Sequence, residues 1–302
     1  SDVYKRQAFT GNGSSVAYAV SFANDGTLIL GTSGGTQTYN GGLTTTSVGG
    51  TVTLNGTIAS SDDAVVLGAV TLGSATTIDT NSTTTNRADI TIAAITGGNN
   101  TLTLTTENNV TGSDVTASGN ISGVTTLTLA SVGGTATLSA DVDVTTLTVG
   151  NTVANVAFTG NGSSVVDAVA FANDGTLILG TSGGTQTYNG GLTTTSVGGT
   201  VTLNGTIATS NDAVVLGAVT LGSATTIDTN ATNNTADITV GAVTSSNLNL
   251  TLDTTTTTGS ADHTFTGDIR LGSGGALSVT GDAVLGANVL IIAGGITFNN
   301  NI

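Results

Sequence analysis

Residues 51–56 read Thr-Val-Thr-Leu-Asn-Gly, and this short stretch contains the pattern that decides the fold. Val52 and Leu54 alternate with threonines, which is the two-residue period of a strand with one buried face. Asn55-Gly56 then supplies a turn, because both residue types tolerate the left-handed backbone conformation. We therefore expect a short strand here, with its aliphatic side chains inside and its threonines outside.

Strand-like pairs of the same kind recur along the chain at intervals of 20–30 residues. This spacing is shorter than a propeller blade, and neither leucine-rich-repeat motifs nor helix-period segments separate the pairs. We predict an all-β fold, a single-stranded right-handed parallel β-helix (a β-solenoid) with about 25 residues per coil and about 12 coils. One inward ladder is expected to contain Leu28, Val52, Ile78, Leu102 and Leu127.

The composition agrees with stacked strands and excludes several classes of protein. The chain has 302 residues, no Pro, no Cys and 8% charged residues, and it is rich in Val, Ile and Thr, which favour strands. Four basic residues against 19 acidic ones, a net charge of −15, argue against nucleic-acid binding. No apolar stretch is long enough for a membrane-spanning helix, so we expect no spanning segment here.

A long internal repeat organises the chain. The segment 8–81 returns as 157–230, offset by 149 residues, with five differences in 74 aligned positions. We divide the chain into super-repeat 1 at 8–156 and super-repeat 2 at 157–302, expected to form one continuous solenoid. Both a genuine duplication and an artefact of sequence assembly remain open as its origin.

The first seven residues differ in composition from everything that follows. Asp2-Val3-Tyr4-Lys5-Arg6-Gln7 contains the only lysine of the chain and resembles the translation of a transposase adapter used in sequencing libraries. We interpret residues 1–7 as an adapter-derived artefact and exclude them from the fold prediction.

Candidate catalytic and metal-binding residues are few. The single histidine, His263, is expected to be a turn or surface residue, since one histidine cannot build a multi-histidine site. The closest acidic clusters are Asp62-Asp63 and Asp141-x-Asp143, and the repeat replaces Asp62 by Asn211. We expect no catalytic residues, no metal site and no cofactor, with weak calcium binding left open as a use of the acids.

A column of threonines is the most regular outward feature. Thr precedes the first inward residue in coil after coil, and several coils add a second Thr two positions on. This resembles the Thr-x-Thr arrays of ice-binding solenoids, whereas the simpler interpretation is that Thr suits exposed strands. The candidate ladder comprises Thr51, Thr53, Thr77, Thr101, Thr103, Thr126, Thr128, Thr146, Thr148, Thr200 and Thr226.

Two phrases carry a resemblance to a known family. The sequence Gly-Gly-Thr-Gln-Thr-Tyr-Asn-Gly-Gly-Leu at 34–43, repeated at 183–192, and the step Ala-Val-Thr-Leu-Gly at 69–73 look like filamentous-haemagglutinin-type and autotransporter-type adhesin repeats. The resemblance implies a bacterial exoprotein, secreted or attached to the outer membrane at the cell surface. It implies adhesive contacts with host surfaces, polysaccharides or copies of itself, and no reaction.

We therefore expect a non-catalytic structural or adhesive segment of a large bacterial surface protein. An ice-binding solenoid is the alternative, followed by a carbohydrate-active β-helix enzyme. No capping coil is recognisable at either end, so we expect the rest of the same polypeptide at both ends. Expressed alone, the chain is expected to associate end to end through its open strand edges.

Overall fold

The computed structural model describes residues 6–81, 87–107, 111–232, 235–254, 261–286 and 290–299. It divides into two compact units, Ser1–Ala157 and Phe158–Ile302, so the division lies one residue from the boundary between the two repeats. The fold is a β-solenoid of about 12 turns, as the repeated strand pattern predicts. No helix that could cross a membrane occurs among the described residues.

Unit 1 is built from strands whose described pairings within the unit are all parallel. They are β1 (Arg6–Phe9), β2 (Ser14–Val16), β3 (Val20–Ser21), β4 (Thr27–Leu30), β5 (Thr36–Tyr39), β6 (Leu43–Thr44), β7 (Val52–Ser60), β8 (Val65–Leu67), β9 (Val70–Asp79), β10 (Ile90–Ile92), β11 (Ile95–Glu107), β12 (Val115–Ala117), β13 (Ile121–Leu138) and β14 (Val142–Phe158), the last of which ends on the first residue of unit 2.

Unit 2 repeats this arrangement. Its strands are β15 (Ser164–Val165), β16 (Val169–Ala170), β17 (Leu177–Leu179), β18 (Thr185–Tyr188), β19 (Leu192–Thr193), β20 (Val201–Ala208), β21 (Val214–Leu216), β22 (Val219–Asp228), β23 (Ile238–Val240), β24 (Val243–Thr244), β25 (Leu250–Asp253), β26 (Asp262–Phe265), β27 (Ile269–Thr280), β28 (Asp282–Leu285) and β29 (Ile291–Phe298).

Each complete coil contributes one segment to each of three faces. In unit 1, face 1 contains β1, β4 and the first parts of β7, β9, β11 and β13. Face 2 contains β2, β5 and later parts of the same long strands, and face 3 contains β3, β6, β8, β10, β12 and the end of β13. In unit 2, face 1 contains β17 and β24, and face 2 contains β15, β18 and β25. Face 3 of unit 2 contains β16, β19, β21, β23, β26 and β28.

Aliphatic columns fill the interior, because alternate side chains of every stacked segment point inward. In unit 1 the columns run in register through consecutive coils. Their members in the coils after the first are almost completely buried. They are Leu28, Val52, Val70, Ile95 and Ile121 on face 1; Ile58, Ile78, Leu104 and Leu129 on face 2; and Leu43, Val65, Ile90, Val115 and Ala136 on face 3.

The register corrects the predicted ladder and the predicted coil length. Leu28 pairs with Val52 as expected, but Val52 pairs with Val70 on face 1, whereas Ile78 pairs with Ile58 on face 2. All five predicted ladder residues are buried, but they belong to more than one column. Paired residues lie about 22 positions apart on average, fewer than the predicted 25, because several coils are short, among them those between β7 and β9 and between β20 and β22.

Glycine allows long strands to turn from face 1 to face 2 without losing their pairing. Gly56 bends β7 at a φ of 65°, and a Cβ atom there would lie 2.3 Å from the carbonyl oxygen of Thr32. Gly205 has the same role in unit 2, with a φ of 66° and the Thr181 oxygen 2.4 Å from the Cβ position. The backbones of adjacent coils therefore come together at this corner, and only glycine fits.

The corner between faces 2 and 3 differs in length from coil to coil. In five coils an inward Ser or Thr at the end of the face 2 segment donates its hydroxyl hydrogen to a carbonyl at the start of face 3. The Thr80 hydroxyl bonds to Ala88 O at 2.8 Å across eight positions, whereas Ser60 bonds to Asp63 O across three. Thr106 and Thr254 make the same contact across seven positions, at 3.1 Å each. The corner thus absorbs differences in coil length while the faces stay in register.

Candidate functional site: the outward columns

Face 2 of unit 1 presents an unbroken column of hydroxyl groups. Five threonines stand at equivalent outward positions in consecutive coils, each paired in register with the next, so their spacing is one strand separation, about 4.8 Å. Four of the five side chains are half-buried and one is exposed. The column is Thr36, Thr57, Thr77, Thr103 and Thr128.

Face 2 of unit 2 carries the same column through six coils, with one serine among the threonines. Register pairing is continuous from the first member to the last. The column is Thr185, Thr206, Thr226, Thr251, Ser278 and Thr297.

The predicted threonine ladder divides between faces and is not one line. Thr77, Thr103 and Thr128, together with Thr226 in unit 2, do belong to face 2 columns. Thr53 lies on face 1, where it pairs with Thr71. Two further members, Thr51 and Thr200, flank face 1, where their carbonyls accept the N–H groups of Leu28 and Leu177. The remaining members precede or extend strand segments: Thr101 and Thr126 lie two residues before column members, and Thr146 and Thr148 lie in β14.

Sequence reasoning missed several members of the columns, including Thr36 and Thr57. The signal was present, since each Thr precedes an inward side chain. It was hidden because β7 supplies two faces, and only its first Thr-x-aliphatic segment was assigned to the ladder. Face 1 of unit 1 carries a shorter hydroxyl column than face 2. It comprises Thr53, Thr71 and Thr96 and ends at Ser122.

A second column on face 2 alternates with the inward residues, is partly covered and has mixed chemistry, since Ala59 and Thr105 are buried. Ala59 pairs with Asp79, which pairs with Thr105, and in unit 2 Asp228 pairs with Asp253. Burial raises the pKa of Asp79, and the backbone N–H of Asn81, 2.8 Å from its Oδ1, opposes that shift. The face therefore offers hydroxyl donors beside carboxylate acceptors, a combination suited to hydrogen-bonding a polyhydroxylated ligand.

Arg87 and Arg270 are each paired with a partly exposed carboxylate. Arg87 lies 2.7 Å from Asp114, and Arg270 lies 2.6 Å from Asp268. The backbone N–H of Leu290 and the Arg270 guanidinium lower the pKa of Asp268. Exposed pairs of this kind contribute little stability, because water screens them.

The predicted acidic clusters lie at turns and strand edges. Asp62 adopts a left-handed φ of 62°, as does its counterpart Asn211 at 70°, so the backbone geometry survives the exchange. Asp141 accepts the N–H of Ile121 through its carbonyl, and Asp143 is exposed. In the part of the chain that the structure describes, no three His, Cys, Asp or Glu side chains converge on a metal-sized site.

His263 departs from the prediction of a turn or surface residue. It lies in the inward column of face 3, between Ile238 and Ala283, and is fully buried. Its Nε2 is 3.0 Å from Thr280 O, and since a carbonyl only accepts, Nε2 carries the hydrogen. Burial lowers the pKa of His263, although Thr280 O and the carboxylates of Asp253, Asp262 and Asp237 oppose the shift. The sequence offered no signal for this placement, because histidine in a strand register can face either way.

No protein-family model, no curated protein and no solved structure matches this chain.

Proposed function

We propose that this chain is a non-catalytic adhesive or structural segment of a large bacterial surface or secreted protein. The observation that carries the proposal is the pair of face 2 hydroxyl columns, one in each unit. Identical groups repeated at one strand spacing offer many weak contacts that act together, so avidity can exceed the affinity of any single contact.

The ligand class that fits best is an extended polysaccharide. Hydroxyls and carboxylates beside each other can donate to and accept from sugar hydroxyls along a chain. A net charge of −15 disfavours anionic ligands, so a neutral polysaccharide is the expected partner. Binding experiments should compare the neutral polysaccharide with two other partners, host-surface glycans and other copies of this chain.

The test compares two triple variants that differ only in the face they alter. Thr57→Val, Thr77→Val and Thr103→Val together remove three hydroxyls from the face 2 column. The control removes three from face 1 with Thr53→Val, Thr71→Val and Thr96→Val. Valine keeps the β-branched shape that suits a strand.

Binding to immobilised neutral and anionic polysaccharides and to host cells is measured for both proteins. With each hydrogen bond contributing about 0.5–1.5 kcal/mol, the face 2 variant should bind its polysaccharide about ten-fold or more weakly. The face 1 variant should bind like the unaltered protein. Equal binding by all three proteins would refute the assignment to face 2, and absence of binding to every surface would refute the adhesive role.

Ice binding is the second candidate, favoured by the unbroken register of the hydroxyl column. The adjacent column weakens it, because Ala59, Asp79 and Asp228 interrupt the two-dimensional hydroxyl array that a flat ice-binding face requires. Thermal hysteresis of the unaltered protein and the face 2 variant distinguishes the two functions. Release of reducing ends from acidic polysaccharides tests the enzyme alternative.

A further inference from the structure

The differences between the two copies of the repeat are concentrated at one corner of the solenoid. Segments 8–81 and 157–230 have identical residues on the strands of face 1 and at the outward positions of face 2. All five differences lie at the end of a face 2 strand, in the corner that follows it, or in the short face 3 strand after that corner. They are Ala17/Val166, Tyr18/Asp167, Ser21/Ala170, Ser60/Thr209 and Asp62/Asn211.

Two of these exchanges preserve the internal structure of the corner. The hydroxyls of Ser60 and Thr209 each donate to the carbonyl three residues further on. Asp62 and Asn211 both adopt a left-handed backbone, with φ values of 62° and 70°. The local geometry is therefore the same in both units, and the exposed surface differs chiefly at the other three positions.

Those three positions form one exposed patch, which we call the variable patch. Its residues are Ala17, Tyr18 and Ser21 in unit 1 and Val166, Asp167 and Ala170 in unit 2. In unit 2, Val165 and Val169 point inward at 1% and 2% exposure, whereas Val166 between them is 52% exposed. Tyr18 of unit 1 is 84% exposed, and the rest of the patch is exposed in both units. The outward placement therefore follows from the local path of the chain at this corner, which both units share.

In unit 1 a groove of about 290 Å³ adjoins the variable patch. Ser21 of the patch lines it, together with Gly41, Thr44 and Asp63. A Cβ atom on Gly41 would lie 2.4 Å from the backbone nitrogen of Ala19, so adjacent coils approach closely and backbone forms the floor of the groove. The corner thus offers a concave strip beside face 2 that a substituent of a bound ligand can enter.

The variable patch follows directly on face 2 in both units. It begins at the residue after β2 in unit 1 and at the residue after β15 in unit 2. A polymer several sugar units long that crosses face 2 obliquely reaches both the hydroxyl column and the patch. It would meet the same hydroxyls in both units, because the column residues Thr36, Thr57 and Thr77 have identical counterparts in Thr185, Thr206 and Thr226.

The two versions of the patch suit different forms of one chemical group. Tyr18 offers an aromatic ring with a polar tip, which packs against an uncharged substituent that has an apolar part. The Ser21 hydroxyl can donate to or accept from an amide beside that ring. Unit 2 presents the Asp167 carboxylate at the equivalent position, and a carboxylate makes its strongest hydrogen bonds to a charged donor such as a protonated amine. An amino sugar occurs in both forms, N-acetylated and free.

We propose that the variable patch determines which substituent of an amino-sugar polymer each unit accepts. Unit 1 selects N-acetylated sugars through Tyr18 and Ser21, and unit 2 selects sugars with a free, protonated amino group through Asp167. This inference rests on the proposed function, in which face 2 binds the polymer, and adds the residues that determine specificity. A partly acetylated polymer engages both units of the same chain, which increases avidity.

The test exchanges the patches between the two units of the full chain. The first variant carries Ala17→Val, Tyr18→Asp and Ser21→Ala, so that both units have the unit 2 patch. The second variant carries Val166→Ala, Asp167→Tyr and Ala170→Ser, so that both units have the unit 1 patch. Every introduced residue already occurs at the equivalent position of the other copy, and circular dichroism and melting temperature check that each variant is folded.

Binding is measured by calorimetry with fully N-acetylated and fully de-acetylated oligomers of the same amino sugar, at a pH where the free amines are protonated. The ratio of the affinity for the free form to that for the acetylated form should rise about two- to five-fold in the first variant, the scale of one exposed ion pair. It should fall by a similar factor in the second variant. Added salt should reduce the preference of the first variant for the free form, because it screens the carboxylates.

Two controls separate the patch from net charge and from face 2. Ser47→Asp adds the same charge at the exposed corner between faces 3 and 1 and should leave the ratio unchanged. The face 2 variant with Thr57→Val, Thr77→Val and Thr103→Val should bind both forms more weakly and keep the ratio.

Persistent binding with an unchanged ratio in both exchange variants overturns this inference and leaves the face 2 assignment standing. An equal shift of the ratio by Ser47→Asp also overturns it, because net charge would then be the cause. Failure of the unaltered protein to bind either oligomer overturns it as well, and the adhesive role is then decided by the other polysaccharides and the host cells.

Discussion

The Thr80 hydroxyl donates to Ala88 O at 2.8 Å and so closes a corner of eight positions beneath the surface of the solenoid. Thr80 is fully buried, and its own N–H bonds to Thr105 O in the next coil at 3.2 Å. The side chain and the backbone N–H of one residue therefore fix the start of face 3 and the stacking of two coils, respectively. Coils whose corners differ in length therefore enter face 3 in the same register.

Removing this hydroxyl should destabilise the protein. Thr80→Val keeps the shape of the side chain but leaves the Ala88 carbonyl without this donor, at a cost of about 1–3 kcal/mol in unfolding free energy. Thr77→Val, three residues earlier on the outward side, should change it by about 0.5 kcal/mol or less. Urea unfolding measures both, and equal effects would show that the corner contact does not stabilise the coil.

The glycine bend in β7 predicts a difference between two glycines of similar backbone conformation. Gly34 and Gly56 have φ values of 68° and 65°, but only a Cβ atom on Gly56 would meet neighbouring backbone. Gly34→Ala should lose about 1–2 kcal/mol through the left-handed conformation alone. Gly56→Ala should lose about 2 kcal/mol more, because adjacent coils must move apart. Similar melting temperatures for the two variants would contradict the close approach.

Adjacent residues of β11 should respond very differently to the same charge. Leu102 is 1% exposed and pairs with Leu127, so Leu102→Asp would bury an unpaired carboxylate and cost about 4 kcal/mol or more. Thr103 points outward, and Thr103→Asp should cost about 1 kcal/mol or less. Thermal melts compare the two variants, and equal damage would mean that the assigned alternation is wrong.

His263 should make unit 2 sensitive to mild acid. Burial lowers its pKa below the ordinary value of 6.5, so the unfolded chain binds the proton more readily than the folded chain. Its stabilising neutral form is therefore fully populated above about pH 6.5, and stability falls as the pH drops from there towards the lowered pKa. Urea midpoints between pH 7.5 and 5 should decline for the unaltered protein.

His263→Leu provides the control for that decline. Leucine fits an aliphatic column and does not titrate, so the variant should show a flatter pH profile over the same range. An unchanged slope in the variant would assign the pH dependence to the carboxylates instead.

The sequence by itself determined the class of fold, the inward and outward alternation, and the division into two repeats. These follow from local properties: a two-residue period, turn residues at regular intervals, and the absence of proline from strands that pair on both sides. Val52 and Leu54 could be placed inside from their own neighbours alone, and the structure confirms both as buried.

Only the tertiary structure decided which residues stack on one another. Val52 and Ile78 are both buried, but Val52 lies on face 1 and Ile78 on face 2, because Gly56 turns β7 from one face to the other and the next coil is short. Spacing along the chain does not reveal which coil is short, because the corners between the faces differ in length from coil to coil. For the same reason the outward column of Thr36, Thr57 and Thr77 and the burial of His263 depend on the register between coils, which no single strand contains.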